Sequence, residues 1–411
     1  MGVQRFSILF GLSLAVSAGA FTLSESDLKV GGYVDNGRFQ LADTSADGEI
    51  LSRMGAKWAI DKQFDENWSV KAKLHWMFWR NQLTDRALFH IKGLRFDSDL
   101  EGAVSYKSGA NLLKAGLYEF KYNPDSKNLG EYLLRSEAYP TIIENSQGKD
   151  LLSYSFSRVA GFQYNLDFPF FRQTALAYAE QYNVPVNDIS FAYLAAAGPE
   201  FAEIQAGVAL HRQFKFGKPM KVNNLDQSRM DYLESQKLTT RAVKLSLRYR
   251  LDLGSLLDVE GFKLYGEAAL LGLKNDSLFY KEPRQRLPVM SGVDIPTFGF
   301  LNVLSVEVEY LKNPYYGRKY SVADDNGSSF SPLPALNPDE YQIKSIPNYT
   351  KDDWKWSVFM HKALNRWIDL KARVASDHLR LRSWDGDLSS GEPMTMETGD
   401  WYLLARIEFH N

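Results

Sequence analysis

The chain of 411 residues carries 48 lysines and arginines against 50 aspartates and glutamates, a net charge of −2, so no basic footprint for nucleic acid exists. It contains no cysteine, which excludes disulfides and thiol chemistry, and no segment after the N-terminal stretch approaches about 18 uninterrupted apolar residues, which excludes helical membrane spans. Aromatic residues make up 14 % while mean hydropathy is only −0.33. That pairing fits either a soluble all-β protein or a membrane barrel whose polar lumen cancels its apolar exterior.

At the N-terminus, Met1 to Arg5 form a short head with one basic residue, Phe6 to Val16 form an apolar run, and Ala18-Gly19-Ala20 form a small-x-small site. This is the layout of a secretory signal peptide. The expectation is therefore a signal peptide over 1–20 and a single mature domain over 21–411, with a buried helix or an uncleaved anchor as the alternative. An exported chain without disulfides has to hold itself together by a large core or by a closed hydrogen-bond network.

The mature chain is read best at period two, at which side chains of a strand alternate between the two faces of a sheet. Met54, Ala56, Trp58 and Ile60 oppose Arg53, Lys57 and Asp61. After a tight turn at Asp65-Glu66-Asn67, Trp68, Val70, Ala72, Leu74, Trp76 and Phe78 oppose Ser69, Lys71, Lys73 and His75. Weaker runs place Phe162, Tyr164 and Leu166 against Gln163 and Asn165, and Ile204, Ala206, Val208 and Leu210 against Glu203, Gln205 and His211. Further on, Val243, Leu245, Leu247, Tyr249 and Leu251 oppose Lys244, Ser246, Arg248 and Arg250. Leu304, Val306, Val308 and Tyr310 oppose Ser305, Glu307 and Glu309, and Ile368, Leu370, Ala372 and Val374 oppose Asp369, Lys371 and Arg373. A soluble sandwich also alternates. The longest runs, however, reach about 10 residues, the length that crosses a bilayer when tilted, and aromatics sit near the ends of the apolar faces.

Candidate strands begin near Leu28, Ile50, Trp68, Ala87, Asp99, Leu112, Arg158, Gln173, Ile189, Ala202, Arg241, Phe262, Val289, Asn302, Trp354, Ile368 and Trp401. That is an odd number, whereas a barrel with both ends on one side needs an even one; about 16 is expected, with 14 and 18 open. Short turns fall at Asp65 to Asn67, Asp167 to Phe170, Gly254 to Asp258 and Lys362 to Arg366. Long links run from about Asn123 to Asp150, Lys215 to Thr240, Asn313 to Asp353 and Leu381 to Thr398. In the first long link, Pro124-Asp125-Ser126 followed by Leu129, Tyr132 and Leu133 predicts a short helix, and Leu225, Met230 and Leu233 predict another over 223–236.

The last segment places Trp401, Leu403, Ala405, Ile407 and Phe409 against Tyr402, Leu404, Arg406, Glu408 and His410. It resembles the terminal strand of bacterial outer-membrane proteins, which ends in an aromatic residue read by the assembly machinery; here His410 and Asn411 follow Phe409. The resemblance implies an all-β fold, a single transmembrane antiparallel β-barrel in the outer membrane of a Gram-negative-type bacterium. Its partners would be the lipid bilayer, the assembly machinery and small solutes, with a homotrimer as a family analogy. Porins of this class often fold a loop into the lumen, which makes the first long link the candidate constriction element, a surface helix being the alternative.

On this register the lumen-lining side chains are Arg53, Lys57, Lys71, Lys73, His75, Lys244, Arg248, Arg250, Glu307, Glu309, Asp369, Lys371, Arg373, Arg406 and Glu408. Their charged rows either set up a transverse field or pair across neighbouring strands, and the sequence does not rank these. His75, His90, His211, His361, His378 and His410 show no metal-ligand spacing, and His75 and His211 read as solvated wall residues. Neither Met360-His361 nor Asp377-His378 has a serine at a motif-like spacing. Glu307 and Glu309, about 7 Å apart on one face, match glycosidase spacing but arise in any acidic wall. No enzyme, cofactor or metal is expected. A porin-like diffusion channel is the leading expectation; a structural or adhesive barrel and a soluble periplasmic all-β protein are the alternatives.

Overall fold

A computed structural model describes residues 27–40, 49–81, 94–134, 157–179, 189–214, 242–273, 287–310, 354–376 and 401–411. The signal-peptide region, the strand start near Ala87, the helix expected over 223–236, the loops 313–353 and 381–398, His90 and His378 lie outside the described residues, as does the side chain of Arg53.

Among the described residues sixteen strands follow one another: β1 (Leu28–Gln40), β2 (Glu49–Gln63), β3 (Trp68–Asn81), β4 (Leu94–Ser108), β5 (Asn111–Phe120), β6 (Ser157–Phe168), β7 (Phe171–Ala179) and β8 (Ile189–Ala197), then β9 (Ala202–Phe214), β10 (Ala242–Asp252), β11 (Lys263–Leu270), β12 (Val289–Asp294), β13 (Val303–Tyr310), β14 (Trp354–Asn365), β15 (Ile368–Ala375) and β16 (Trp401–His410). Each pairs antiparallel with its sequence neighbours, and β1 pairs with β16, so the sheet closes and has no free edge. The seam is completed by the two residues beyond Phe409. The Val30 N–H donates to Asn411 Oδ1 at 2.9 Å, and the Asn411 N–H donates to the Val30 carbonyl at 3.2 Å.

The alternation sets which face is which. Val34, Met54, Phe162, Ile204, Leu247, Val308, Trp354 and Ile407 point outward, each 41–69 % exposed. Asp35, Lys244, Arg248, Glu267, Glu307, Glu309, Arg373 and Arg406 are buried on the other face. A soluble sandwich buries its apolar face; this barrel inverts that arrangement. The short connections (64–67, 109–110, 169–170, 198–201, 253–262, 295–302 and 366–367) share one end with both chain ends, and every long connection leaves the other.

The one helix among the described residues, α1 (Leu253–Leu257), fills the β10–β11 turn. The Asp252 carboxylate caps it by accepting the Ser255 N–H at 3.1 Å, and Asp258, with φ of 55°, ends it. The helix expected at Leu129 to Leu133 does not form. Gly130 and Glu131 both take positive φ (82° and 62°), which breaks helical progression and turns the chain back on itself.

Candidate functional site

Residues 121–134 leave the end of β5 and run inside the barrel. Leu129, Tyr132, Leu133 and Leu134 are fully buried there, Leu133 and Leu134 in a cluster with Tyr118, Val159, Leu176, Tyr178 and Leu194 of the wall. With its helix absent, this stretch has backbone N–H groups that need acceptors. Carboxylates of the wall supply them. Glu307 accepts the amides of Lys127, of Asn128 at 2.9 Å and of Leu129 at 2.8 Å. Glu267 accepts those of Glu131 at 2.9 Å and Tyr132 at 3.0 Å, together with the Tyr122 hydroxyl and the Asn123 side-chain amide. Successive amides converging on one anion form a nest, here inverted so that the wall provides the anion. Glu309 accepts the Tyr132 hydroxyl at 2.6 Å.

The segment also braces itself. The Glu131 carboxylate accepts the N–H groups of Tyr122 and Asn123, and the Leu133 N–H donates to the Tyr122 hydroxyl at 2.8 Å. Burial, with the Glu267 and Glu131 carboxylates beside it, pushes the Tyr122 phenol well above its ordinary value of 10. It therefore stays protonated as the donor to Glu267. Arg373 Nη2 donates to the Lys127 carbonyl at 3.0 Å, and Lys244 Nζ to that of Tyr132 at 3.4 Å.

On its opposite flank the segment presents Asp125 to three wall cations. Arg248 Nη1 and Arg250 Nε each lie 3.7 Å from its carboxylate, and Lys263 Nζ lies 3.9 Å away. Between the segment and the turn end of β5 to β10 lies a cavity of about 330 Å³, lined by residues that include Lys114, Glu119, Lys121, Pro124, Gln163, Asp167, Arg172 and Arg248.

The remaining charged wall residues pair across strands. Lys71 meets Asp61 at 2.9 Å, Lys73 meets Glu101 at 3.6 Å and also Glu119, and Lys57 meets Glu408 at 3.5 Å. Glu408 also holds Lys371, and Asp369 lies 3.4 Å from His361. Arg406 grips Asp35 through two bonds of 2.5 and 2.7 Å while stacking over the Tyr33 ring at 3.8 Å. His75 and His211 are not solvated wall residues. His75 is bonded to the Tyr33 hydroxyl at 2.8 Å and His211 lies 3.3 Å from that of Tyr178, both buried. Glu307 and Glu309 likewise do not stand as a bare acidic row facing the basic ones, because the segment occupies them.

Sequence reasoning missed Glu267 and Asp35, and it placed Glu203 on the polar face of a weak run and Asp125 in a helix start without assigning either to the lumen-lining set. Glu267 lies in β11, where Leu264, Gly266, Ala268 and Leu270 face outward; two small residues among four blur the period-two contrast that marks other strands.

No protein-family model matches the chain and no curated protein sequence does. Solved structures do. The chain is similar to OmpF of Salmonella typhi, solved in complex with daunomycin, at a TM-score of 0.51 and 9 % identity, over 95 % of this chain and 100 % of that one. It also aligns with a triple mutant of the Rhodopseudomonas blastica porin at a TM-score of 0.46 and 8 % identity, over 93 % of this chain and 100 % of that one. Closed sheet, inverted burial and the likeness to OmpF together define a porin-like outer-membrane β-barrel fold.

Proposed function

We propose that this chain is a porin-like channel of a Gram-negative outer membrane that passes small polar or ionic solutes passively. The observation that carries the reading is the inward segment 121–134. It is fixed to the wall by two carboxylates and narrows the interior, yet a charged cavity of about 330 Å³ stays beside it. Leu133 and Leu134 pack into an apolar cluster of the wall, while the backbone of the segment and Asp125 meet Glu267, Glu307, Arg248 and Arg250, so the segment is seated among charged groups as well as apolar ones. The lumen-facing set proposed to act on solutes is the charged wall described above, with Arg53 included on register alone. By the usual orientation of such barrels, the short turns face the periplasm and the long loops the exterior. Export through removal of residues 1–20, insertion through the terminal strand, and assembly as a homotrimer belong to the same proposal, and no catalytic step is part of it.

Liposome swelling tests it. Vesicles holding the refolded protein are expected to admit arabinose faster than a trisaccharide. Vesicles that contain folded barrel and swell no faster than empty ones contradict the reading.

A further inference from the structure

We propose that the cavity beneath the inward segment is a binding subsite for small oxyanions of two or more charges, of phosphate or polycarboxylate chemistry. This deepens the channel reading and rests on it. Four cations line the cavity, Lys114, Lys121, Arg172 and Arg248, against two carboxylates, Glu119 and Asp167. Of these carboxylates, Glu119 is already engaged by Lys73 from the next wall strand but one, so the charge the lining offers to a solute is positive.

Arg248 makes the site specific. Its side chain is 2 % exposed; Nη2 is held on Glu203 and Nε on Gln205, while Nη1 makes no hydrogen bond among the described residues and lies 3.7 Å from the Asp125 carboxylate. The Asp125 carboxylate at 3.7 Å answers the charge of this nitrogen but not its N–H, and a buried N–H without an acceptor costs free energy until one arrives. Arg172 is fixed by the same Glu203, so the two guanidinium groups are positioned together by one carboxylate. Lys114 makes no ion pair among the described residues, and its ammonium lies 4.0 Å from the centroid of the Tyr118 ring. Planar guanidinium forks and an ammonium on one wall match a polyvalent oxyanion. A volume of about 330 Å³ lies at the small end of ligand pockets, and a neutral solute of that size would leave the Lys114 ammonium without a counter-ion.

The test uses two measurements on the full barrel with pyrophosphate and citrate as probes. In planar bilayers bathed in KCl, either probe is expected to lower the current saturably, while maltose does not. The double variant Lys114→Gln, Arg172→Gln is expected to weaken the block about tenfold or more, the loss of one charge-assisted contact being enough for that, and Arg172→Lys to recover part of it. Calorimetric titration of detergent-folded protein with pyrophosphate reads the subsite without needing conduction. Heat of binding with no current keeps the subsite and removes the channel reading. Conduction with neither saturable block nor heat of binding keeps the channel and overturns the subsite. Block by pyrophosphate alone assigns phosphate chemistry, and block by both assigns the broader class.

Discussion

The carboxylate of Glu307 on β13 accepts the backbone N–H of Asn128 at 2.9 Å, across 179 residues of sequence. That contact, repeated on the neighbouring amides and again at Glu267, fixes an irregular segment inside a barrel without regular structure of its own. Hydrogen bonds to an ionised acceptor contribute about 1.5–3 kcal/mol each, roughly twice a neutral pair.

Glu307→Gln keeps one acceptor oxygen but turns an N–H₂ donor toward donors. The expected outcome is a loss of about 3 kcal/mol of anchoring, with the barrel still closed because β12–β13–β14 pairing is untouched. Single-channel traces should show higher, noisier conductance than wild type. Unchanged conductance with folded protein would mean that the segment does not narrow the path.

Asp125→Asn removes the carboxylate that Arg248, Arg250 and Lys263 share, while Glu203 and Asp252 stay on the first two. In a wet lumen a unit charge at about 4 Å is worth about 1 kcal/mol, or about a fivefold preference. Reversal potentials in a KCl gradient should therefore shift toward chloride permeation by about that factor.

Leu247→Arg places a charge on the outward face in the middle of β10, where the leucine is 56 % exposed. On a lipid-facing wall this costs about 2–4 kcal/mol, against about 0.5 kcal/mol or less for an ordinary water-exposed site. Urea titration in lipid vesicles separates the two.

Gly55→Ala would put a Cβ 2.3 Å from the Tyr33 ring, which is itself held by His75 and Arg406. Over-packing of this kind costs about 1–3 kcal/mol. The urea midpoint should fall, and Gly32→Ala, on the outward face with only one contact at 3.0 Å, should fall less.

Much of the fold was legible because a closed wall obeys one rule along its whole length: Trp68 to Trp76 and Val243 to Leu251 each alternate in the register the strands adopt. Asp99, read as a strand start, lies within β4 (Leu94–Ser108), and the candidate start near Ala87 falls outside the described residues. The inward segment was harder. Leu129, Tyr132 and Leu133 have helical spacing, but the chain there turns a left-handed corner at Gly130-Glu131 and buries every residue from Asp125 to Leu134, polar and apolar alike, so the spacing marks no helix face. Nor does local sequence reveal that Glu267 and Glu307, about 40 residues apart on neighbouring walls, would converge on it, since cross-barrel proximity depends on strand order and shear.

Single-channel recording of wild type beside the Glu267→Gln, Glu307→Gln double variant tests the central claim most directly. The account predicts discrete ohmic steps for the wild type and larger, less uniform steps once both anchors are gone. A heat-modifiable, correctly folded barrel that passes no current in either form would contradict it.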